Sequence, residues 1–238
     1  YLVKFVIIIN FMTISFNNMN FFIIQVPESK FSTSHAKMAY KSVKNFYDNV
    51  EIYNGYDPFR AAKFLNDNSI SYRRIHKDIH EWSLAKAKRP GMLGSFASHY
   101  SLWELCLKLD ETICILEHDA RMFSPIIHEN FEDGIMQIDI EDSKPPTRLY
   151  YQPNYKYDIK TSIKECYYVK NNIPLALGLA AYLIKPKEAK FLVDLKAYGP
   201  PDHIVNGFFF KIYRQIPPSV YSINDGKSFT RNYEQDAF

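Results

Sequence analysis

The chain has few cysteines, no block of basic residues and no long uninterrupted apolar stretch, and each shortage excludes something. Three cysteines occur, Cys106, Cys114 and Cys166, and no two stand at CxxC spacing. An odd number inside apolar segments argues against a disulfide framework and for buried thiols in a reducing compartment. A formal net charge of +3 is too mild to argue for a nucleic-acid partner. The basic pair Arg73-Arg74 and the segment Lys86-Ala87-Lys88-Arg89 are interspersed with other residues, which fits solvated surface, with a phosphate-facing loop as the alternative. The apolar run from Phe5 to Phe16 is broken by Asn10 and Thr13 and is short for a bilayer. No small-x-small cleavage site follows it; Asn17 and Asn18 stand there instead. Neither an internal repeat nor a low-complexity segment is present.

What is present is enough apolar material for a full core. Of 238 residues, 47% are hydrophobic and 23% charged, so one large domain is expected and bulk disorder is not. Aromatics reach 16%, which supplies core and also flat faces that stack on bases or sugars. The folded domain is expected over residues 19–223. Residues 1–18 are read as an N-terminal extension, with a membrane anchor as the lesser reading, and 224–238 as a loose polar tail.

Along the chain, strands and helices alternate. Asn20 to Val26 reads as a strand, and Ser34 as the cap of a helix carrying Met38, Tyr40, Val43 and Phe46. Val50 to Tyr53 reads as a second strand, followed by the turn pair Asn54-Gly55 and a helix opened by Pro58. This rhythm predicts an α/β domain with parallel pairing. Pro90-Gly91-Met92-Leu93-Gly94-Ser95 opens the longest helical candidate, which ends near Leu109. Further strands are expected over 134–140, 177–184, 208–212 and 219–223, and a helix from Pro186 to Leu195. The segment 142–157, rich in Pro, Tyr, Lys and Asn, reads as a long loop, with Tyr150, Tyr151 and Tyr155 placed to stack on sugars or simply scattered on the surface. His76 and His80 lie four apart, but Lys77 occupies the position where a metalloprotease motif needs Glu, so surface histidines are the better account.

One stretch organises the rest. Thr112-Ile113-Cys114-Ile115-Leu116 is a continuous apolar run, as expected of a strand buried on both faces, and it stops on Glu117-His118-Asp119. In open α/β sheets, ligands sit beyond the carboxyl ends of such strands. If the chain stays extended, Glu117 and Asp119 point to one side, where a divalent cation would relieve their repulsion and bridge to a diphosphate. The plain alternative is a solvated strand end. Gly94, Ser98 and His99 fall near the start of the long helix, where backbone N–H groups attract anions, and His99 alone could equally be a core histidine. Asp202, after Gly199-Pro200-Pro201, is either a helix cap or a functional carboxylate.

Taken in order, these pieces resemble glycosyltransferase family 25, the group of lipooligosaccharide and procollagen galactosyltransferases. The resemblance rests on Gly91-x-x-Gly94-x-x-Ala97-Ser98-His99-x-x-x-Trp103, on Ile115-Leu116-Glu117-His118-Asp119, on Ala181-Tyr182-Leu183-Ile184-x-Pro186-x-x-Ala189 and on Pro201-Asp202-His203. Asn20 to Val26 and Val50 to Asp57 fit its opening strands. Two departures stand out. His118 replaces the middle acid of the family's Ile-Leu-Glu-Asp-Asp motif, and Pro27 to Ser34 lacks the family's arginine.

The resemblance implies a GT-A-like single domain with a mostly parallel central sheet flanked by helices. It also implies a nucleotide-sugar donor such as a UDP-sugar, a glycan or glycolipid acceptor, and a divalent cation, manganese being expected. Asp119, Glu117 and His203 would be the metal ligands, with Gly94, Ser98, His99 and Glu117 on the donor side and Asp202 as the base in an inverting hexosyl transfer, galactose being the sugar the resemblance suggests. A cytoplasmic place, peripheral to a membrane face, in a bacterium or virus fits these expectations. Three rivals stand beside this reading: a relic that binds donor without turnover, a metal-dependent phosphohydrolase or nucleotidyltransferase using the same two acids, and a metal-free carbohydrate-binding module using the tyrosine-rich loop.

Overall fold

The computed structural model describes residues 19–72, 89–127, 131–139, 163–165, 168–170, 173–175, 179–207, 209–215 and 218–223. The expectations for residues 1–18, His76 and His80, the 142–157 loop, Cys166 and the tail fall outside these. The strands are β1 (Asn20–Gln25), β2 (Val50–Asn54), β3 (Ser71–Tyr72), β4 (Ile113–Leu116), β5 (Ala120–Met122), β6 (Ile135–Gln137), β7 (Ile163–Glu165), β8 (Tyr168–Lys170), β9 (Ile173–Leu175), β10 (Ala181–Ile184), β11 (Ala197–Tyr198), β12 (Ile212–Gln215) and β13 (Val220–Ser222). The helices are α1 (Lys30–Lys44), α2 (Pro58–Asp67), α3 (Pro90–Leu109), α4 (Pro186–Asp194) and α5 (Pro201–Ile204).

The central sheet has 7 strands in the order β2-β1-β4-β10-β6-β12-β7. Five of its strands, β1, β2, β4, β6 and β12, run in one direction, while β10 and β7 run against them. The expected α/β domain with a mostly parallel sheet is therefore present. Shorter pairs, β11 with β3, β13 with β5 and β8 with β9, surround it. Among the described residues, no helix is long and apolar enough to cross a membrane.

The continuous apolar runs have a two-sided explanation. Phe22, Ile24, Ile113, Ile115, Tyr182 and Ile184 enter a core built with α2, α3 and α4. Their sequence neighbours Phe21, Ile23, Cys114, Leu116, Ala181 and Leu183 enter a second core, built with Ala36, Ala39 and Val43 of α1 and with β5 and β13. Alternation thus divides these strands between two layers rather than between core and water. Cys106 and Cys114 are buried and form no disulfide among the described residues.

Helix α3 is apolar on nearly every side because it is enclosed on nearly every side. Phe96, Ala97, Tyr100, Leu102 and Trp103 are completely buried, and α3 packs against both α2 and α4. Its approach to the β2–α2 loop is set by three small groups. Ser98 Oγ donates to Gly94 O at 2.6 Å and accepts from Tyr56 N at 2.9 Å. A Cβ on Gly94 would be driven into the Tyr56 carbonyl oxygen, and one on Gly55 would come within 2.5 Å of Ser98 Oγ.

Several boundaries differ from the sequence reading. Helix α1 starts a turn early: Ser29, not Ser34, is its cap, accepting from Ser32 N at 3.1 Å. Asp57 caps α2 through Phe59 N and Arg60 N and leaves Pro58 at the first helical position, as expected for the proline. The late strand expected over 208–212 lies instead at Ile212–Gln215. Strands β5 and β11 are too short for any period to register.

Gly94→Ala is expected to cost about 2 kcal/mol of stability, because a backbone oxygen cannot rotate out of the way. Urea unfolding checks this. A variant with the wild-type midpoint would show that α3 and the loop are not held together at this contact.

Candidate active site

The carboxyl ends of β1, β2, β4, β6 and β12 share one edge of the sheet, and the sequence-predicted acids lie at that edge. Glu117 follows β4 directly, and its backbone N–H donates to Ala180 O at 2.8 Å. The chain does not continue extended from there. It turns back, with Ala120 N donating to Glu117 O at 3.0 Å, so the expected extended acid-x-acid geometry is replaced by a turn. Arg121 Nη1 clasps this turn, donating to His118 O at 2.8 Å and to Ala120 O at 2.7 Å.

The turn sends its three side chains to different neighbours. Glu117 Oε1 lies 3.5 Å from Nε2 of His99 on α3. Asp119 Oδ2 accepts from Ser222 Oγ at 2.7 Å on β13, while its Oδ1 is buried with no hydrogen-bond partner among the described residues. His118 packs among rings on α1, its centroid 5.8 Å from Phe31 and 6.3 Å from His35. The residue that departs from the family motif thus lies against the α1 layer, opposite the α3 layer that holds His99.

Glu117 remains in the field of two other acids. Its pKa is pushed well above the usual carboxylate range, first by burial and then by the charges of Asp119 and Asp202. Asp202 also bears on His99, whose pKa burial lowers to about 3 against the opposing pull of that acid. Glu117, Asp119, Asp202 and His99 therefore belong to one electrostatic group. Asp202 is no helix cap: Pro200 is the cap residue of α5, and Asp202 lies in the first turn with Oδ2 3.9 Å from His203 Nε2.

The other expected contributors are placed less centrally. Helix α3 begins at Pro90, so His99 lies in its third turn, beyond the reach of the helix N-terminal field. The contacts of Gly94 and Ser98 are with the β2–α2 loop. Among the described residues, no three His, Cys, Asp or Glu side chains stand together as a group able to hold a metal.

Two features went unread in the sequence. Tyr182 OH lies 2.9 Å from His99 Nδ1 and accepts from Trp103 Nε1 at 2.9 Å, so two aromatic residues support the histidine that faces Glu117. Asp139, just past β6, is 1% exposed and accepts from Ala180 N at 2.6 Å. Ala180 in turn receives Glu117 N, so Asp139 and Glu117 brace the same residue from two sides. The preceding Leu179 is held at φ +34°, a conformation that costs a non-glycine residue about 1 kcal/mol. Trp103 and Tyr182 stand in the motifs that carry the family resemblance, but the contacts themselves, separated by 41 and 83 positions, leave no local period.

A family model described as "Glycosyltransferase family 25 (LPS biosynthesis protein)" matches residues 19–204. No curated protein matches the chain.

Asp139 gives this edge a pH signature. Burial raises its pKa from 3.8 to about 7, against the pull of Arg214 and the hydrogen bonds from Ala180, Gln137 and Ala181. A carboxyl raised in the folded state favours folding while protonated, and that contribution is lost as pH rises through the folded value. The loss is on the order of 4 kcal/mol at most. Asp139→Asn is therefore expected to gain stability over wild type at pH 8 and to match it near pH 4, as read by urea unfolding. An equal difference at both pH values would contradict this.

Proposed function

Since the chain belongs to glycosyltransferase family 25, we propose that it moves a hexose from a nucleoside-diphosphate sugar to a hydroxyl of a glycan or glycolipid, with a divalent cation at Glu117 and Asp119. The carrying observation is the crowding of Glu117 by Asp119 and Asp202 beside a buried Asp119 oxygen that has no partner among the described residues. Carboxylates pressed together at a strand end fit a hard cation, which supplies coordination and removes the repulsion. Two protein oxygens without a third side chain suit manganese or magnesium, which are commonly bound by one or two carboxylates plus substrate phosphates. When bound, such an ion neutralises charge growing on the diphosphate as the glycosidic bond breaks.

The remaining work falls to the chain itself. Asp202 accepts the proton of the attacking hydroxyl, whose own pKa is far too high for attack at neutral pH. A single displacement of this kind inverts the anomeric carbon. His203, 3.9 Å from Asp202, orients that carboxylate rather than ligating the ion. His99 faces Glu117 and holds it. A glycolipid acceptor would bring the chain to a membrane face from the cytoplasmic side.

A second reading, donor binding without turnover, draws on His118, which stands where the family has an acid and packs on Phe31.

The test is a nucleoside-diphosphate release assay across nucleotide sugars, with and without manganese and with and without an acceptor glycan. Release that requires both manganese and acceptor is expected. Asp119→Asn should lower kcat/KM at least a hundredfold, the scale for losing charge stabilisation at a leaving group. Binding of donor with no release would favour the second reading. Release without acceptor and undiminished by it would point to hydrolysis.

A further inference from the structure

The buried group behind Glu117 has a direction that donor and acceptor chemistry fixes. An indole N–H can only donate, so at 2.9 Å Trp103 Nε1 takes a lone pair of the Tyr182 oxygen. Burial holds the Tyr182 phenol well above its usual pKa, so it keeps its proton. His99, buried and neutral at physiological pH, carries one ring proton. Two arrangements remain for the 2.9 Å contact between Tyr182 OH and His99 Nδ1. If His99 Nδ1–H donated, the phenol proton of a fully buried side chain would have no acceptor among the described residues, and a bare Nε2 lone pair would face the Glu117 oxygen. Leaving a buried donor unmade costs about 1–3 kcal/mol. If Tyr182 O–H donates to Nδ1, the phenol is fully satisfied, and the ring proton sits on Nε2, which makes no finished hydrogen bond but faces an acceptor, Glu117 Oε1, at 3.5 Å. Glu117 accepts from that N–H whether it is a carboxylate or the carbonyl of a protonated acid.

We propose that Trp103 and Tyr182 are positioning residues that lock His99 as its Nε2–H tautomer, so that His99 is a fixed hydrogen-bond donor to Glu117 and not a metal ligand. The lock follows from the hydrogen bonds and the burial of both side chains; its bearing on sugar transfer rests on the function proposed above. With its lone pair committed to Tyr182, His99 has no nitrogen to offer an ion. It constrains one Glu117 oxygen instead and leaves the other to the site. The separation of 3.5 Å is long for a finished hydrogen bond, as is common before substrate draws such a site together. His99 and Tyr182 rings also stack at 5.7 Å and 17°, so the imidazole cannot flip without displacing the phenol.

The experiment is imidazole nitrogen NMR on the full chain, with the His99 signal assigned by its loss in His99→Gln. Wild type is expected to show His99 protonated on Nε2 and bare on Nδ1 across neutral pH, and adding magnesium, which is diamagnetic, should leave that pattern unchanged. Tyr182→Phe, which removes one oxygen and keeps the ring, should abolish the single-tautomer pattern. In the release assay it should lower kcat about tenfold with little change in KM for donor. A His99 bearing its proton on Nδ1 in wild type overturns the proposal without needing any variant to fold. So does an unchanged tautomer in Tyr182→Phe, or a magnesium-induced shift typical of direct ligation on His99. If wild type transfers no sugar, the transferase reading falls, and the spectrum still decides the tautomer lock.

Discussion

Like charges gathered at one sheet edge are the constraint on which the rest of this structure turns. Glu117, Asp119 and Asp202 come from two separate segments, and their mutual repulsion works against the fold that brings them together. Such a cluster persists only where surrounding packing over-determines it. Here that packing is a sheet enclosed on both faces. Strand β4 is held between β1 and β10, and its four side chains are all fully buried. Each of its three aliphatic side chains contributes about 2 kcal/mol, which works against the local electrostatic cost.

The bracing is specific as well as strong. Arg121 holds the carbonyls of the acidic turn, Ser222 takes one oxygen of Asp119, and Ala180 takes the backbone of Glu117. Ala180 is itself fixed by Asp139. Behind Glu117, His99 is backed by Tyr182 and Trp103. Such support limits how far the acids can separate, which keeps them crowded and keeps a cation favourable between them. The departure at His118 is absorbed because that side chain leaves toward α1, where aromatic neighbours receive it.

Much of this was legible from residue order, and the limits have physical causes. The buried run Ile113–Leu116 announced its strand because both faces are covered, and Pro58 and Pro90 announced their helices because proline fits the first turn. The acids at 117 and 119 were legible because polar residues end an apolar run abruptly. What stayed hidden depends on distant contacts. The antiparallel insertion of β10 between β4 and β6 leaves no local pattern, since a strand buried on two faces reads alike in either direction. The turn at Glu117–Ala120 lacks glycine and proline, so an extended course was the natural expectation. Gly94 and Ser98 read as ligand contacts because a small residue near a helix start serves a phosphate and a packed backbone equally well. Tyr182 and Trp103 read as core, and they are core; their polar atoms acquire meaning only from what the fold sets beside them.

Manganese binding in the presence of a nucleoside diphosphate, followed by titration calorimetry, tests the central claim most directly. Wild type should bind the pair at least tenfold more tightly than Glu117→Gln/Asp119→Asn, with both proteins folded to the same unfolding midpoint or better in the variant, where the repulsion is gone. Equal affinity in the two proteins would mean that the acids at this strand end do not hold the ion, and the account built on their crowding would be wrong.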